Sequence, residues 1–408
     1  MEFLETKLAN GLEIVGEYHP QGFSASVGFL IRTGARDELP EETGISHLIE
    51  HLLFKGTTTR SVDDVNRFFD DCGADYNAWT DVESTICYAT VPPESLIPVT
   101  RLWAELMRPA FREEDIEPER QVVLEEIRMY DDMPPFGMDE KSRSLFFGAH
   151  PLGNSVAGSL ESVSAITPEM IRRYHRTHYS PDRMILAVAG KFDFDDVVRT
   201  AQELCGDMEP SGVSQRYRDV TTTTGRYDYY RDSAQQSYTI QIADGPGAME
   251  DDLFAARIIA ILVGDECGSR LFRELADPGL AESISMTYSD YMDAGCYTTW
   301  MSCSPEDQEP NLERIRHVYE TLERNGVTED EMIRSRNKLA TQIVLAGERS
   351  CGRLFAIGDA QLRGRMYTSV RDELDQVRSV TRDAVHEVLA KRPLGKNLTV
   401  TIGPHEPV

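Results

Sequence analysis

The sequences SVGFLIRTGARDELPEE, residues 26–42, and SYTIQIADGPGAMEDD, residues 237–252, share one pattern. Each is a short apolar run that ends in a glycine turn and an acidic loop, and each precedes an apolar stretch of helical length. The first serines of the two stretches are 211 residues apart. A pattern that recurs at this distance in a chain of 408 residues predicts a duplicated α/β unit.

Mixed helix and strand signals follow the first stretch along the chain. The pattern predicts strands at residues 22–34, Ala74–Thr80, Thr85–Val91 and Met184–Gly190, and helices at Ile45–Phe54, Val62–Asp71, after Pro92 and Pro93, and over Arg112–Met133. The composition then shifts to Pro, Ser, Gly and four consecutive threonines. We therefore predict an N-terminal domain at residues 1–207, a linker at 208–226 and a C-terminal domain at 227–408.

Charge and cysteine usage exclude several classes of partner. The 42 basic and 69 acidic residues give a net charge of −27, which disfavours binding to nucleic acid and to anionic lipid surfaces. No apolar run approaches the roughly 20 residues of a membrane helix, and no secretory signal is visible at the N-terminus. The seven cysteines are scattered and contain no CxxC pair, so we expect free thiols and a cytoplasmic location.

The motif HLIEH, with His47, Glu50 and His51, carries the chemistry of the first half. On a helix, residues four apart lie on one side, so both imidazoles can face one metal ion. Glu50 lies on the same side, where it can reach a metal-bound water without being a ligand. The alternative is a pair of surface histidines beside a solvated glutamate. The apolar sequence ISHLIEHLLF disfavours it, because burying three titratable groups is costly unless something compensates them.

A catalytic zinc site needs a third protein ligand and one open position. The helix predicted at Arg112–Met133 offers Glu119 and Glu126, seven residues and therefore about 10 Å apart on one face. Both cannot easily bind one ion, so one is expected to be the ligand and the other a supporting group. Spacing alone leaves Glu125 possible as well.

Five blocks of sequence, the first of which contains the HLIEH motif, resemble the signatures of the pitrilysin/insulinase family of zinc metallopeptidases, in particular its two-domain members akin to mitochondrial processing peptidase and bacterial homologues. The blocks are TGISHLIEHLLFKGT, YNAWTDVESTICYAT, ERQVVLEEIRMYDDMP, HPLGNSVAGSLESV and YHRTHYSPDRMILAVAG. The resemblance covers about residues 5–205 block by block and about 225–405 more loosely. With the internal repeat, it implies an α+β fold of two homologous α/β half-domains, each a mostly antiparallel sheet with helices packed on one face.

Residue by residue, the resemblance implies that His47, His51 and Glu126 bind zinc and that Glu50 is the general base. Glu119 matches the family's additional glutamate, as a supporting group. The implied activity is a zinc-dependent endopeptidase acting on peptides or unfolded polypeptide segments.

The block YNAWT resembles the strand that pairs with an extended substrate in the family, which makes Asn77 and Ala78 substrate-binding candidates. The alternative for Asn77 is a purely structural role at a turn or a strand end. The family architecture further implies that the chain pairs with itself, or with a related chain, to close a chamber around peptide substrates.

The second half departs from the family pattern at one place. Many active members carry an arginine and, seven residues later, a tyrosine after the segment SRLF, and here Ala276 and Glu282 stand near those positions. Arg270 and Arg273 precede the expected site and are expected to serve packing or surface roles; Tyr288 is a possible substitute.

This departure supports a rival hypothesis, a non-catalytic or weakly active zinc-containing subunit that binds peptides or assembles with a partner chain. The presence of Glu50 argues against it, because a structural zinc site normally closes its fourth position and needs no base.

Overall fold

The computed structural model describes residues 1–132, 137–214, 217 and 219–404, which form eleven strands and fourteen α-helices. The first half contains β1 (Glu2–Lys7), β2 (Glu13–Tyr18), β3 (Ala25–Ile31), α1 (Ile45–Leu53), α2 (Val62–Asp71), β4 (Asp75–Thr80), β5 (Thr85–Val91), α3 (Leu96–Leu106), α4 (Glu113–Asp132), α5 (Met138–Phe147), α6 (Leu160–Ala165), α7 (Pro168–His178), β6 (Met184–Gly190) and α8 (Phe194–Cys205). The second half contains β7 (Gly225–Tyr230), β8 (Ser237–Gly245), α9 (Leu253–Gly264), β9 (Ser283–Asp290), β10 (Gly295–Cys303), α10 (Gln308–Asn325), α11 (Glu329–Gly347), α12 (Ser350–Leu362), α13 (Val370–Ser379), α14 (Arg382–Lys391) and β11 (Asn397–Gly403).

The two sheets repeat one strand order. The first runs β1-β2-β6-β3-β5-β4 and the second runs β7-β11-β8-β10-β9, so the last five strands of the first sheet match the second in sequence order and position. In each sheet one pair is parallel, β2 with β6 and β7 with β11, and the other pairs are antiparallel. The predicted duplication and the predicted fold class are confirmed.

The described residues divide into two compact units. The first unit takes its residues from 1–129, 154–216 and 345–368, and the second from 130–153, 217–344 and 369–408. The predicted domains at 1–207 and 227–408 coincide with most of each unit. They differ at two helices, because α5 belongs to the second unit and α12 to the first. Positions 215, 216 and 218 of the predicted linker lie outside the described residues, as does Met133 at the predicted end of α4.

Strands β3 and β6 lie in the middle of the first sheet, and every one of their residues is buried. On one face, Val27 and Phe29 join the main core with α1 and α3. On the other face, Leu30 packs against Leu354 and Ile357 of α12. Coverage on both faces explains why these strands are nearly continuous apolar runs rather than alternating ones.

Helix α1 begins at a tight turn that requires glycine. Gly44 has a φ of +91°, and a Cβ added there would lie 2.8 Å from the carbonyl oxygen of Ala157. The helix then buries Leu48, Ile49 and Leu52 in the core of the first unit. Because residues 48, 49 and 52 fix the rotation of the helix, the positions between them face away from that core.

Two negative findings apply to the described part of the chain. None of its helices combines the length and the apolar character that a membrane span requires. All seven cysteines are free, and four of them, Cys87, Cys205, Cys296 and Cys303, are buried.

Candidate metal centre and active site

Helix α1 brings two imidazoles to the same side, as the i, i+4 spacing requires. The ring centroids of His47 and His51 are 4.8 Å apart and the rings are nearly perpendicular. Their side chains are only 13% and 22% exposed. The two rings are therefore held at the edge of the core, partly shielded from solvent.

Helix α4 brings Glu126 to the two histidines. Its Oε2 atom lies 3.8 Å from Nε2 of His47 and 3.7 Å from Nε2 of His51. Among the described residues, these three form the one group of His, Cys, Asp or Glu side chains whose ligand atoms all lie within 4.8 Å of one another. Ligands around a tetrahedral zinc are roughly 3.4 Å apart, so the donor types and spacing of this His–His–Glu triad fit zinc after a small contraction.

Glu119 and Glu125 occupy different places from Glu126. Glu119 lies beside the far side of one imidazole, with Oε2 3.3 Å from Nδ1 of His51, and its other oxygen contacts Nζ of Lys55. Glu125 points to solvent, with 71% of its side chain exposed, and pairs with Arg128. Glu119 is thus placed to orient His51, since a carboxylate on the second ring nitrogen fixes which nitrogen is free to bind a metal.

Glu50 lies next to the triad without belonging to it. The Thr80 hydroxyl donates a hydrogen bond to Glu50 Oε2 at 2.7 Å, and the backbone of Thr80 also interacts with this carboxylate. Burial raises the pKa of Glu50, while the Thr80 hydrogen bond and the proximity of His51 oppose that shift. The sequence motif identifies Glu50. It does not identify Thr80 as the hydrogen-bond partner of Glu50, because that contact depends on the packing of β4 beside α1.

His47 is kept neutral by its surroundings. Burial and, to a smaller extent, the neighbouring His51 lower the pKa of His47 to about 4, and the carboxylate of Glu126 opposes this shift. Its Nδ1 atom is buried and has no hydrogen-bond partner among the described residues. A neutral imidazole is the form that binds a metal, so near pH 7 this side chain needs to lose no proton to become a ligand.

Strand β4, which contains Asn77 and Ala78, is an edge strand of the first sheet. Beyond its end, Asp81 N–H donates to the carbonyl of Ser84 at 2.8 Å, so the odd-numbered residues of β4 bond to β5 and the even-numbered residues turn their backbone groups to the free edge. Ala78 N–H donates to Oδ1 of its own neighbour Asn77 at 2.9 Å. Asn77 therefore lies inside the strand and not in a turn.

The residues singled out in the second half are engaged locally. Arg270 donates to both carboxylate oxygens of Glu331, at 2.8 and 2.9 Å. The Tyr288 hydroxyl donates to the carbonyl of Pro246, and burial raises the pKa of this phenol. Ala276 ends a short π-helical turn, whereas Glu282 and Arg273 are exposed. The arginines thus have the packing and surface surroundings that the sequence predicts for them.

Comparisons with known proteins agree with the geometry. Residues 13–159 match the family described as Insulinase (Peptidase family M16), and residues 165–339 match one described as Peptidase M16 inactive domain. The chain is 33% identical over 410 residues to an uncharacterized zinc protease of Mycobacterium bovis, covering 98% of this chain and 93% of that protein. It is 32% identical over 401 residues to an uncharacterized zinc protease of Streptomyces coelicolor, covering 95% and 87%. The crystal structure of a protease from Helicobacter pylori has the same fold, with a TM-score of 0.92 at 21% identity over 99% of this chain and 100% of that one.

Proposed function

We propose that this chain, which belongs to the insulinase family of M16 peptidases, is a zinc-dependent endopeptidase that hydrolyses peptides or unfolded polypeptide segments. The observation that carries the proposal is the meeting of two imidazoles and a carboxylate from distant segments, with a second, partly buried carboxylate beside them. A structural metal site would not need that second acid.

His47, His51 and Glu126 would hold the zinc ion, with Glu119 orienting His51. Three protein ligands leave one coordination position open, as catalytic zinc sites do. With zinc bound by these three residues, the site would supply the positive charge needed to polarise the scissile carbonyl and to acidify the attacking water.

Glu50 would move the proton. Its carboxylate accepts a proton from the attacking water and delivers it to the leaving amine, the role of a general base that turns into a general acid. Burial raises the pKa of Glu50 above its ordinary value, which makes the carboxylate a stronger proton acceptor. The hydrogen bond from Thr80 fixes the orientation of the carboxylate.

The free edge of β4 would bind the substrate as an added strand. The backbone groups of Ala78 point to that edge, and Thr80, two residues further along β4, contacts Glu50, so a peptide paired with β4 would run past the base. Strand addition recognises backbone groups, which suits peptides and unfolded segments rather than folded proteins. In the free chain the N–H of Ala78 donates a hydrogen bond to the side-chain oxygen of Asn77. A carbonyl of a bound peptide would take the place of that oxygen as the acceptor.

The proposal extends to location and assembly. Seven free cysteines suit a reducing compartment, which supports action in the cytoplasm. The active form would be a homodimer or a heterodimer with a related chain, and light scattering at micromolar concentration tests this: a single 46-kDa species would contradict self-association.

The test of catalysis compares Glu50→Gln with the matched control Glu125→Gln. Zinc-loaded protein is incubated with a mixed peptide library at neutral pH, and products are identified by mass spectrometry. We expect cleavage by the unchanged chain, its loss on chelation, a fall of about 10²- to 10⁴-fold in kcat for Glu50→Gln with zinc retained, and less than a twofold effect for Glu125→Gln. Undiminished cleavage by Glu50→Gln would contradict the assignment of the base.

A second candidate function is a peptide-binding or assembly subunit with little activity of its own. Two observations favour it: Ala276 and Glu282 stand where many active members of the family have arginine and tyrosine, and residues 165–339 match a family described as inactive. Cleavage that appears only after a related chain is added would support this function. Cleavage by the chain alone would reject it.

A further inference from the structure

A cleft in the second unit is lined by charged side chains from three helices. It has a volume of about 560 Å³ and lies where the end of α10 meets the first halves of α11 and α14. Its basic side chains are those of Arg324, Arg336, Arg382 and His386, which we call the basic cluster. A cleft of this size can hold a small molecule, and its charge contrasts with the net charge of −27 of the whole chain.

The arginines of the basic cluster are not paired with carboxylates. Acidic residues outnumber basic ones by 69 to 42, so carboxylates are plentiful, and Arg270 in the same unit pairs with Glu331. Among the described residues, however, none forms an ion pair with Arg324, Arg336 or Arg382. The cleft therefore presents three guanidinium groups whose charge no neighbouring side chain neutralises.

Arg336 is held in place by one hydrogen bond and keeps a second donor available. Its Nη2 atom donates to the carbonyl of Val380, just before α14 begins. Its Nε atom is buried and has no hydrogen-bond partner among the described residues. A buried N–H without a partner is unfavourable, and an oxygen atom of a ligand in the cleft would satisfy it.

The other members of the basic cluster are exposed and can reach a ligand. Arg324 lies in the last turn of α10, and Arg382 and His386 are four residues apart on one side of α14. Helices α11 and α14 both begin at the cleft, and the N–H groups of a first turn carry partial positive charge. The helix starts thus add to the attraction of the guanidinium groups for an anion.

Two carboxylates, those of Glu329 and Asp383, also line the cleft. Three arginines against two carboxylates leave a small excess of positive charge, with His386 as a further donor. A long polyanion such as nucleic acid would be repelled by these carboxylates and by the acidic chain around them. The charge balance suits a small ligand with its negative charge concentrated in one group.

We propose that this cleft binds a small phosphate monoester through its phosphate group. A phosphate monoester carries close to two negative charges near pH 7 and has three strong acceptor oxygens, so it can accept a hydrogen bond from each of the three guanidinium groups. A carboxylate has only two oxygens. The remaining volume of the cleft holds the organic part of the ester. The site is separate from the His–His–Glu triad and does not depend on peptide hydrolysis.

The experiment titrates the zinc-loaded chain with phenyl phosphate, inorganic phosphate and benzoate, in three separate calorimetric runs in phosphate-free buffer. We expect a Kd below about 1 mM for phenyl phosphate and at least tenfold weaker binding of benzoate. Inorganic phosphate should bind more weakly than the ester, because it leaves part of the cleft unfilled. Equal binding of benzoate and phenyl phosphate would overturn the assignment to phosphate, and tighter binding of inorganic phosphate would overturn the assignment to an ester.

Substitutions around the cleft should change the affinity in opposite directions. Arg382→Gln should weaken phenyl phosphate binding about tenfold or more, because it removes a charge-assisted hydrogen bond. Asp383→Asn should tighten binding about threefold, because it removes a negative charge from the cleft. The matched control is Arg378→Gln, which removes an exposed arginine of α13 that pairs with Asp375 outside the cleft. It should change the Kd by less than twofold.

Hydrogen exchange measured by mass spectrometry locates the ligand. Phenyl phosphate should slow exchange in peptides that cover residues 324–336 and 382–391 and leave peptides that cover α1 unchanged. A Kd above about 10 mM would overturn the inference. Binding that is undiminished in Arg382→Gln, or protection at α1 alone, would do so as well, because the phosphate would then be bound elsewhere, as on zinc. Peptide cleavage by Arg382→Gln should equal that of the unchanged chain, so failure of this site and failure of the proposed function are separate results.

Discussion

The two units have the same strand order, but the helix that follows the central strand carries titratable side chains in the first unit and almost only apolar ones in the second. In the first unit α1 carries His47, Glu50 and His51. In the second unit α9 has the sequence LFAARIIAILVG, in which Arg257 is the one charged residue and eight residues are buried. Because aliphatic side chains build the same helix in the same place, the fold does not require the titratable groups of α1.

The difference extends to the helices that complete the site. Helix α4 has Glu119 and Glu126 along its length, whereas the acidic residues of α11 lie in its first turn only. Placing carboxylates and imidazoles at the edge of a core costs free energy unless they are compensated. The first unit therefore has an unfavourable contribution to its folding free energy that the second unit lacks. A metal ion bound by the His–His–Glu triad would offset this contribution.

The largest expected effect is on local stability when zinc is removed. A ligand present at about 1,000 times its Kd stabilises the state that binds it by about 4 kcal/mol. Chelation should therefore speed hydrogen exchange in peptides that cover α1 and leave those that cover α9 unchanged, as measured by mass spectrometry. Equal changes in both helices would mean that the two units do not differ in metal binding.

The next effect concerns the buried carboxylate at the start of α1. Glu38 is 7% exposed and accepts hydrogen bonds from the N–H groups of Gly44 and Ser46, at 2.8 and 2.9 Å. Burial raises the pKa of Glu38 to about 8 from 4.5. The folded chain therefore binds this proton more tightly than the unfolded chain, and the resulting stability is present below pH 4.5 and lost as pH rises to 8.

Glu38→Gln removes this titration. Between pH 5 and 7.5 the metal-free parent should lose about 3 kcal/mol of unfolding free energy relative to the variant, since one proton contributes about 1.4 kcal/mol per pH unit. Urea unfolding at both pH values measures the difference. A gap between the two proteins that stays constant with pH would contradict a protonated Glu38. Asp252→Asn at the start of α9 is the matched change in the second unit.

Making α1 resemble α9 should stabilise the metal-free chain. The triple variant His47→Leu, Glu50→Leu, His51→Leu replaces three partly buried polar groups by apolar ones, which we expect to raise the unfolding free energy by about 2 kcal/mol. Calorimetry in the presence of a chelator measures it. Loss of stability in the triple variant would mean that these side chains serve the fold.

The smallest effect is on metal affinity through Lys55. This ammonium contacts the oxygen of Glu119 that does not face His51. Lys55→Met should leave Glu119 free to turn, and losing such indirect support weakens metal binding by about tenfold. Competition with a zinc chelator measures the change. Lys7→Met, which removes an exposed lysine that pairs with Glu13, should have less than a twofold effect.

The sequence predicted the elements with strong local patterns. The helix at Val62–Asp71 and the strands at Thr85–Val91 and Met184–Gly190 match residue for residue, and α1 ends one residue earlier than predicted. The first long strand, predicted at 22–34, is shorter, Ala25–Ile31, because its flanks form a loop and a turn. These elements depend on neighbouring residues, which is why periodicity finds them.

Local sequence patterns could not predict which elements pack together when they are far apart in the sequence. Nothing in the sequence of α12 indicates that it covers a sheet whose strands lie more than 150 residues earlier. Spacing likewise could not separate Glu125 from Glu126, because a choice between adjacent residues depends on how α4 is rotated against α1. Thr80 and Lys55 were not anticipated, since their roles arise only from contacts between distant segments.

Zinc stoichiometry tests the central claim most directly, namely that one ion is bound jointly by α1 and α4. Each protein is dialysed against a small excess of zinc and analysed by atomic emission, with His51→Ala and Glu126→Gln compared with Glu125→Gln. We predict one equivalent in the unchanged chain and in Glu125→Gln, and less than a tenth of an equivalent in the other two. A full equivalent in Glu126→Gln, or none in the unchanged chain, would contradict the account.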